Sequence, residues 1–189
     1  MAVLITLAVA ALIVFWAIGL YNRLIGLRNQ VLNGWRQIDV QLKRRHDLIP
    51  NLVNTVRGAM EFERETLEAV VAARTRAVSA TGPADAAQKE GELTQALGRL
   101  FALAENYPQL TANANVRALQ EELSATENKI GFARQFYNDI ATKYNTSIQV
   151  VPNNFIAGFG DFKAAELFEI KEEAERAVPT VDLSMKSRT

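Results

Sequence analysis

A single histidine, His46, and not one cysteine are what this chain offers to nucleophilic, redox or metal chemistry. The missing thiols exclude disulfides, thiolate nucleophiles and cysteine-based zinc or iron–sulfur sites. Helical bundles can also hold carboxylate-bridged di-metal centres, but these need two Glu-x-x-His pairs on facing helices and two further glutamates. Three residues before His46 stands Lys43, so a di-iron oxidase is excluded. His46 lies among Arg44, Arg45 and Asp47 and reads as a surface or capping-region residue, because a catalytic base needs an oriented partner. Neither G-x-S-x-G nor S-x-x-K occurs, and phosphate-cradling glycine patterns are absent. Gly158-Phe159-Gly160 is a lone glycine pair and reads as a turn. Asn145-Thr146-Ser147 is a glycosylation sequon that matters only outside the cytoplasm. No catalytic, cofactor or metal-binding residues are therefore expected, and no small-molecule substrate.

The elements that must do the work are helices. Twenty-one basic residues balance twenty-one acidic ones, so no bulk field points to nucleic acid as a partner and charge has to be read locally. Ala2–Leu20 holds no charge, and nineteen residues at about 1.5 Å each reach roughly across a bilayer core. This reads as a transmembrane helix, with the bilayer as its partner. The rival, a cleaved signal peptide with Ala17-Ile18-Gly19 as its small-x-small site, lacks a positive n-region and exceeds the usual apolar length. Trp16 and Tyr21 suit the interface at its C-terminal end, and Thr6 with Ala10 makes only a weak small-xxx-small pair. Between Tyr21 and His46 six basic residues (Arg23, Arg28, Arg36, Lys43, Arg44, Arg45) face one acid, Asp39. The positive-inside rule then puts the short N-terminus outside and the long remainder in the cytoplasm, which predicts a single-pass membrane protein. Arg23 and Arg28 are near enough to feel anionic headgroups.

Val31, Trp35, Ile38, Leu42, Ile49, Leu52 and Val56 recur at spacings of three, four or seven, with Arg45 filling the one gap. That is the seam of a helix packed lengthwise on others. Asn22, Asn29 and Asn33 share a face, where asparagine either fixes register in a helix interface or forms a hydrated polar face, the second being favoured. Pro50 inside the run would cost about 3 kcal/mol in a helix interior, so Asp47 is expected to cap a fresh helix with Pro50 in its first turn and a kink between the segments. That second segment is expected to carry Ile49, Leu52, Val56, Met60, Leu67 and Val70 inward and to end near Ser79. A further helix is predicted over 84–105, and Leu110 to Asn115 is a polar connection able to cap the next helix. From Val116 to Ser147 spacings of three and four alternate without slip, the mark of a long supercoiled helix, and Phe132 and Phe136 are expected to widen its buried stripe. Tyr137-Asn138 and Tyr144-Asn145 repeat at heptad distance and predict core tyrosines with hydroxyl partners rather than a stacking platform for bases. After Val150 the pattern breaks. Phe155, Phe159, Phe162 and Phe168 lie in an acidic segment and either fold back on the bundle, the default, or form a docking surface. Leu183 to Thr189 read as disordered.

The predicted organisation is all-α: a transmembrane anchor over 1–22, continuing into a cytoplasmic antiparallel bundle of three to four long helices over 23–150, and an acidic-aromatic C-terminal segment over 151–189. The stretches YNRLIGLRNQVLNGWRQIDVQLKRRHDLIPNLVNTVRG, ARTRAV, FARQFYNDIATKYNTSIQVVPNNFIAGFG and LFEIKEEAERAVPTVDL together resemble the bacterial LemA family over nearly the whole chain. QIDVQLKRRHDLIPNLV is the most specific of them. The resemblance implies a single-pass inner-membrane protein with a cytoplasmic bundle, kinship with the magnetosome-membrane protein MamQ, no enzymatic activity and no catalytic residues to carry over. The expected function is a self-associating membrane scaffold or adaptor that presents helix faces to membrane-protein partners. Membrane shaping through oligomeric assembly is the alternative, and an undetected enzyme, to be revealed by a buried polar cleft, is the third reading.

Overall fold

The structure is a computed structural model that describes residues 1–60 and 62–169. It contains helices α1 (Ala2–Arg57), α2 (Arg64–Val78), α3 (Pro83–Ala104), α4 (Pro108–Thr111), α5 (Ala114–Gln149) and α6 (Asn153–Phe159). No strand occurs among the described residues. The helix α1 is unbroken from the apolar N-terminus into the bundle, a length of about 84 Å at 1.5 Å per residue. Its first turns are exposed, and burial begins in earnest at Leu24, Leu27 and Val31. The stretch is long and apolar enough to cross a membrane.

Antiparallel α5 is the second beam. Arg44 pairs with Glu122, Trp35 meets Tyr137 further back, and Tyr21 meets Phe162 beyond the end of α5. Gly34 allows the close approach, since a Cβ there would stand 3.4 Å from Tyr137 Cδ2. The α2–α3 hairpin packs on the distal half of α1, and that half closes around Ile49, Leu52, Val56, Met60, Val70, Leu93 and Leu100. Gly82 starts α3 at φ 81°, a backbone region open to glycine, and Pro83 follows at the first helical position, where its missing donor costs nothing. Asn113 caps α5, its side-chain oxygen accepting from the Asn115 and Val116 amides at 2.9 and 3.4 Å.

The proximal half is built differently. There α6 and the chain from Asp161 to Glu169 close a second core around Leu24, Ile38, Tyr137, Tyr144, Phe162 and Phe168.

Several expectations are corrected. Asp47 caps nothing and no fresh helix begins there, because α1 runs through Pro50. The reason is distant in sequence. Proline cannot donate to the carbonyl four residues back, and Arg74 Nε on α2 donates to that carbonyl, His46 O, at 2.7 Å. The break falls instead after Arg57, where Gly58 to Glu63 link α1 to a separate α2. Phe132 and Phe136 do not widen the buried stripe, because they lie beside the exposed Arg36, Gln37 and Val40 on a flank of the α1–α5 pair that no other described element covers; they are 74% and 49% exposed. Gly158 and Phe159 belong to α6 rather than to a turn. The expectations for Leu183 to Thr189 lie outside the described residues.

Candidate functional site

Three features bear on function: a buried charged cluster, a backbone clamp and a surface groove. The first device is a buried charged cluster. Arg45 and His46, consecutive on α1, both turn inward, because Arg45 occupies a seam position and His46 flanks it. Arg45 Nη1 donates to Glu90 Oε2 at 2.9 Å, its Nη2 donates to Thr94 Oγ1 at 2.9 Å, and it also pairs with Glu127 at 3.0 Å. His46 Nε2 lies 2.5 Å from the other oxygen of Glu90. Arg45 is 4% exposed and Glu90 5%. A charge taken this far from water is tolerated only when its hydrogen bonds are filled by partners. The expectation of a surface or capping His46 is thereby overturned. Within the buried part of the cluster Arg45, His46 and Glu90 are thus paired with one another, and Arg45 also with Thr94. Among the described residues no group of three or more His, Cys, Asp or Glu side chains is placed to hold a metal.

The second device is a backbone clamp. Asn138 accepts from the Phe168 amide at 2.9 Å and donates to the Phe168 carbonyl at 3.2 Å. Asn145 does the same to Ala165, at 2.7 and 2.9 Å. Tyr137 and Tyr144 are buried, and their hydroxyls donate to the Glu166 and Lys163 carbonyls at 2.6 and 3.0 Å. The spacing explains the match: seven helical residues rise about 10.5 Å, and three extended residues span about 10 Å. Each Tyr-Asn pair thus meets the extended chain in the same way. Burial, and then the Glu166 carboxylate, push the Tyr137 hydroxyl from 10 up to about 12. Burial raises Tyr144 as well, against an opposing influence of Arg28. Phe162 and Phe168 are buried by this fold-back, with Arg28 over Phe162 and Trp35 tilted on Phe168. Phe155 and Phe159 are left exposed.

The open surface is a groove along α1 and α5. Val40, Phe132 and Phe136 form its apolar floor, Arg36, Gln37 and Lys129 border it, and it continues past Gln37 and Phe136 to Gln30, Asn33 and Asp139. Gln41 Oε1, buried beside it, has no hydrogen-bond donor among the described residues. Asn22, Asn29 and Asn33 are all exposed, as are Arg23, Asp39, Arg44 and Asp47. Of the asparagines only Asn33 borders the groove, accepting from Arg36 at 3.5 Å. Sequence reasoning missed Glu90, Arg74 and Asn138 with Asn145 as structural partners, and it missed the groove. Arg45 in an apolar register was the signal for the first.

These features define a class: an all-helical protein whose apolar N-terminal helix runs without a break into a bundle, with its internal charges self-paired and an apolar groove left open. The LemA family profile matches residues 34–183, and the chain belongs to that family. It is similar to Protein LemA of Metamycoplasma hominis, 27% identical over 173 residues covering 89% of this chain and 78% of that protein. It is also similar to Magnetosome protein MamQ 2 of Paramagnetospirillum magneticum, 26% identical over 189 residues covering 86% and 70% of the two chains. A shorter match, 30% over 91 residues, joins 48% of this chain to 34% of Magnetosome protein MamQ of Magnetospirillum gryphiswaldense.

Proposed function

We propose that this LemA family protein is a non-enzymatic scaffold, anchored in the bacterial inner membrane by Ala2–Leu20 with its N-terminus outside and its bundle in the cytoplasm, that self-associates and binds partner proteins. The observation that carries the reading is the α1–α5 groove. Val40 and Phe132 are each more than half exposed on two rigid helices, and an exposed contiguous apolar patch on a packed domain marks a contact surface. The orientation rests on the six basic residues that come after the span.

Amine-reactive crosslinking of the full chain in native membranes tests this. The expected products are a homo-oligomer ladder and adducts to co-purifying membrane proteins. Monomer alone, with nothing co-purifying, sinks it.

Membrane shaping by oligomeric assembly is the second reading. It draws on the exposed Arg23 and Arg28 just past the apolar run, and on the likeness to proteins named for the magnetosome. Liposomes whose shape and lipid order stay unchanged by the reconstituted protein would count against it.

A further inference from the structure

The bundle starts where the apolar run stops, and α6 is the part of it that reaches back. Within Ala2–Leu20 every residue is exposed except Ala17 and Leu20, which are half-buried, and one turn on Leu24 is fully buried. These three share a helix face. The helix α6 packs on α1, and the chain after it is held against Tyr21. Tyr21 and Phe162 meet edge to face with ring centres 5.5 Å apart. A Cβ at Gly160 would collide with the Phe162 ring and stand 3.1 Å from Tyr21 Cε2, so only glycine lets the chain press this closely. The end of α6 is thus level with the last turn of the apolar run.

Its two faces differ sharply. Asn153 and Ala157 are buried inward, whereas Phe155 and Phe159, four residues apart, point outward at 63% and 93% exposure. Val151 is exposed as well. No charged residue occurs between Lys143 and Asp161. The exposed charges around this uncharged tip are Lys143 before it, Asp161 and Lys163 after it, and Arg23 and Arg28 on α1, with Arg28 over the Phe162 ring. An apolar face edged by charges of which cations are the majority, at the depth where a spanning helix leaves the bilayer, matches the chemistry of the headgroup–acyl boundary, where interfacial helices bury their apolar sides by about 5–10 Å.

We propose that α6 is a second membrane contact, with Phe155 and Phe159 inserted among the lipids of the leaflet from which α1 emerges. The inference rests on the reading of Ala2–Leu20 as a transmembrane anchor. A bundle held by α1 alone can swivel about the helix axis. A bundle held by α1 and α6 cannot, so the α1–α5 groove keeps one orientation to the membrane plane.

The absence of native cysteine makes the test direct. Full-length Phe155→Cys and Phe159→Cys proteins, each carrying one nitroxide, are reconstituted in vesicles of phosphatidylcholine and phosphatidylglycerol. Spin-label accessibility is measured against oxygen and a water-soluble nickel chelate. Val9→Cys reports the span, and Phe62→Cys, exposed at the far end of the bundle, reports water. All four side chains are exposed, so circular dichroism should be unchanged. The expected result is that labels at 155 and 159 lose most of the chelate accessibility seen at 62 and keep oxygen accessibility, at a shallower depth than the label at 9. Chelate accessibility at 159 equal to that at 62, with the label at 9 inside the bilayer, overturns the proposal and leaves the anchor standing. Shielding of 155 and 159 from both reagents overturns it in favour of a protein contact. A label at 9 in water overturns the anchor and the proposal together.

Discussion

The contact between Arg74 and the His46 carbonyl predicts a specific coupling. Pro50 deprives that carbonyl of its helical donor, and Arg74 Nε supplies one at 2.7 Å from a different helix. A hydrogen bond from a charged donor is worth about 1.5–3 kcal/mol, and an acceptor left buried and unpaired costs about as much. Arg74→Ala should therefore destabilise the chain by about 2 kcal/mol. Pro50→Ala restores an amide donor and removes the ring, for a gain of about 1–2 kcal/mol after allowing for the stiffness that proline lends the unfolded chain. In the Pro50→Ala background Arg74→Ala should then cost less than about 1 kcal/mol, because the carbonyl has regained its own partner. The four proteins, purified full-length in one detergent, are compared by urea unfolding followed by far-UV circular dichroism. Equal costs of Arg74→Ala in both backgrounds, within about 0.5 kcal/mol, would refute the reasoning.

Other consequences are as concrete. Glu90→Ala takes from Arg45 its one buried carboxylate and leaves it only the half-exposed Glu127, which should cost about 2–4 kcal/mol, whereas Arg45→Met combined with Glu90→Leu should restore much of that loss, both read from the same unfolding curves. Asn138→Ala should raise amide hydrogen exchange at Phe168, and Asn145→Ala at Ala165, with the distal core around Leu52 unaffected. The Tyr137 hydroxyl titrates higher folded than unfolded, at about 12 against 10, so the stability it contributes is whole below pH 10 and is lost as pH rises toward 12. The loss is about 2 kcal/mol, and a Tyr137→Phe variant should show a flatter decline in unfolding midpoint over that range.

The helices were legible because an apolar seam at three- and four-residue spacing leaves few alternatives, and the long α5 pattern from Val116 to Ser147 ends within two residues of the observed helix. The kink at Asp47 was a sound local inference that a distant residue defeated: no rule of helix capping foresees Arg74 on another helix. His46 was read as a surface residue because charged neighbours flank it, and Arg45 was seen only to fill a gap in the apolar seam. Their partner Glu90 lies in a stretch whose acids carry no mark of burial until α3 is docked. The Tyr-Asn repeat announced buried hydroxyls, yet the chain it clamps, 163–168, has no periodicity by which to pair it. Phe132 and Phe136 misled in the opposite sense, since apolar character shows what ought to be covered but not whether another element packs on that flank.

The central claim, that the α1–α5 groove is a protein contact surface at the membrane, is tested most directly by single-cysteine photocrosslinking in native membranes. Phe136→Cys, inside the groove, is compared with Thr75→Cys on an exposed face of α2. Discrete adducts, to a second copy or to a membrane protein, are expected from position 136 and none from position 75. Equal labelling from both positions, or none from either, would contradict the claim.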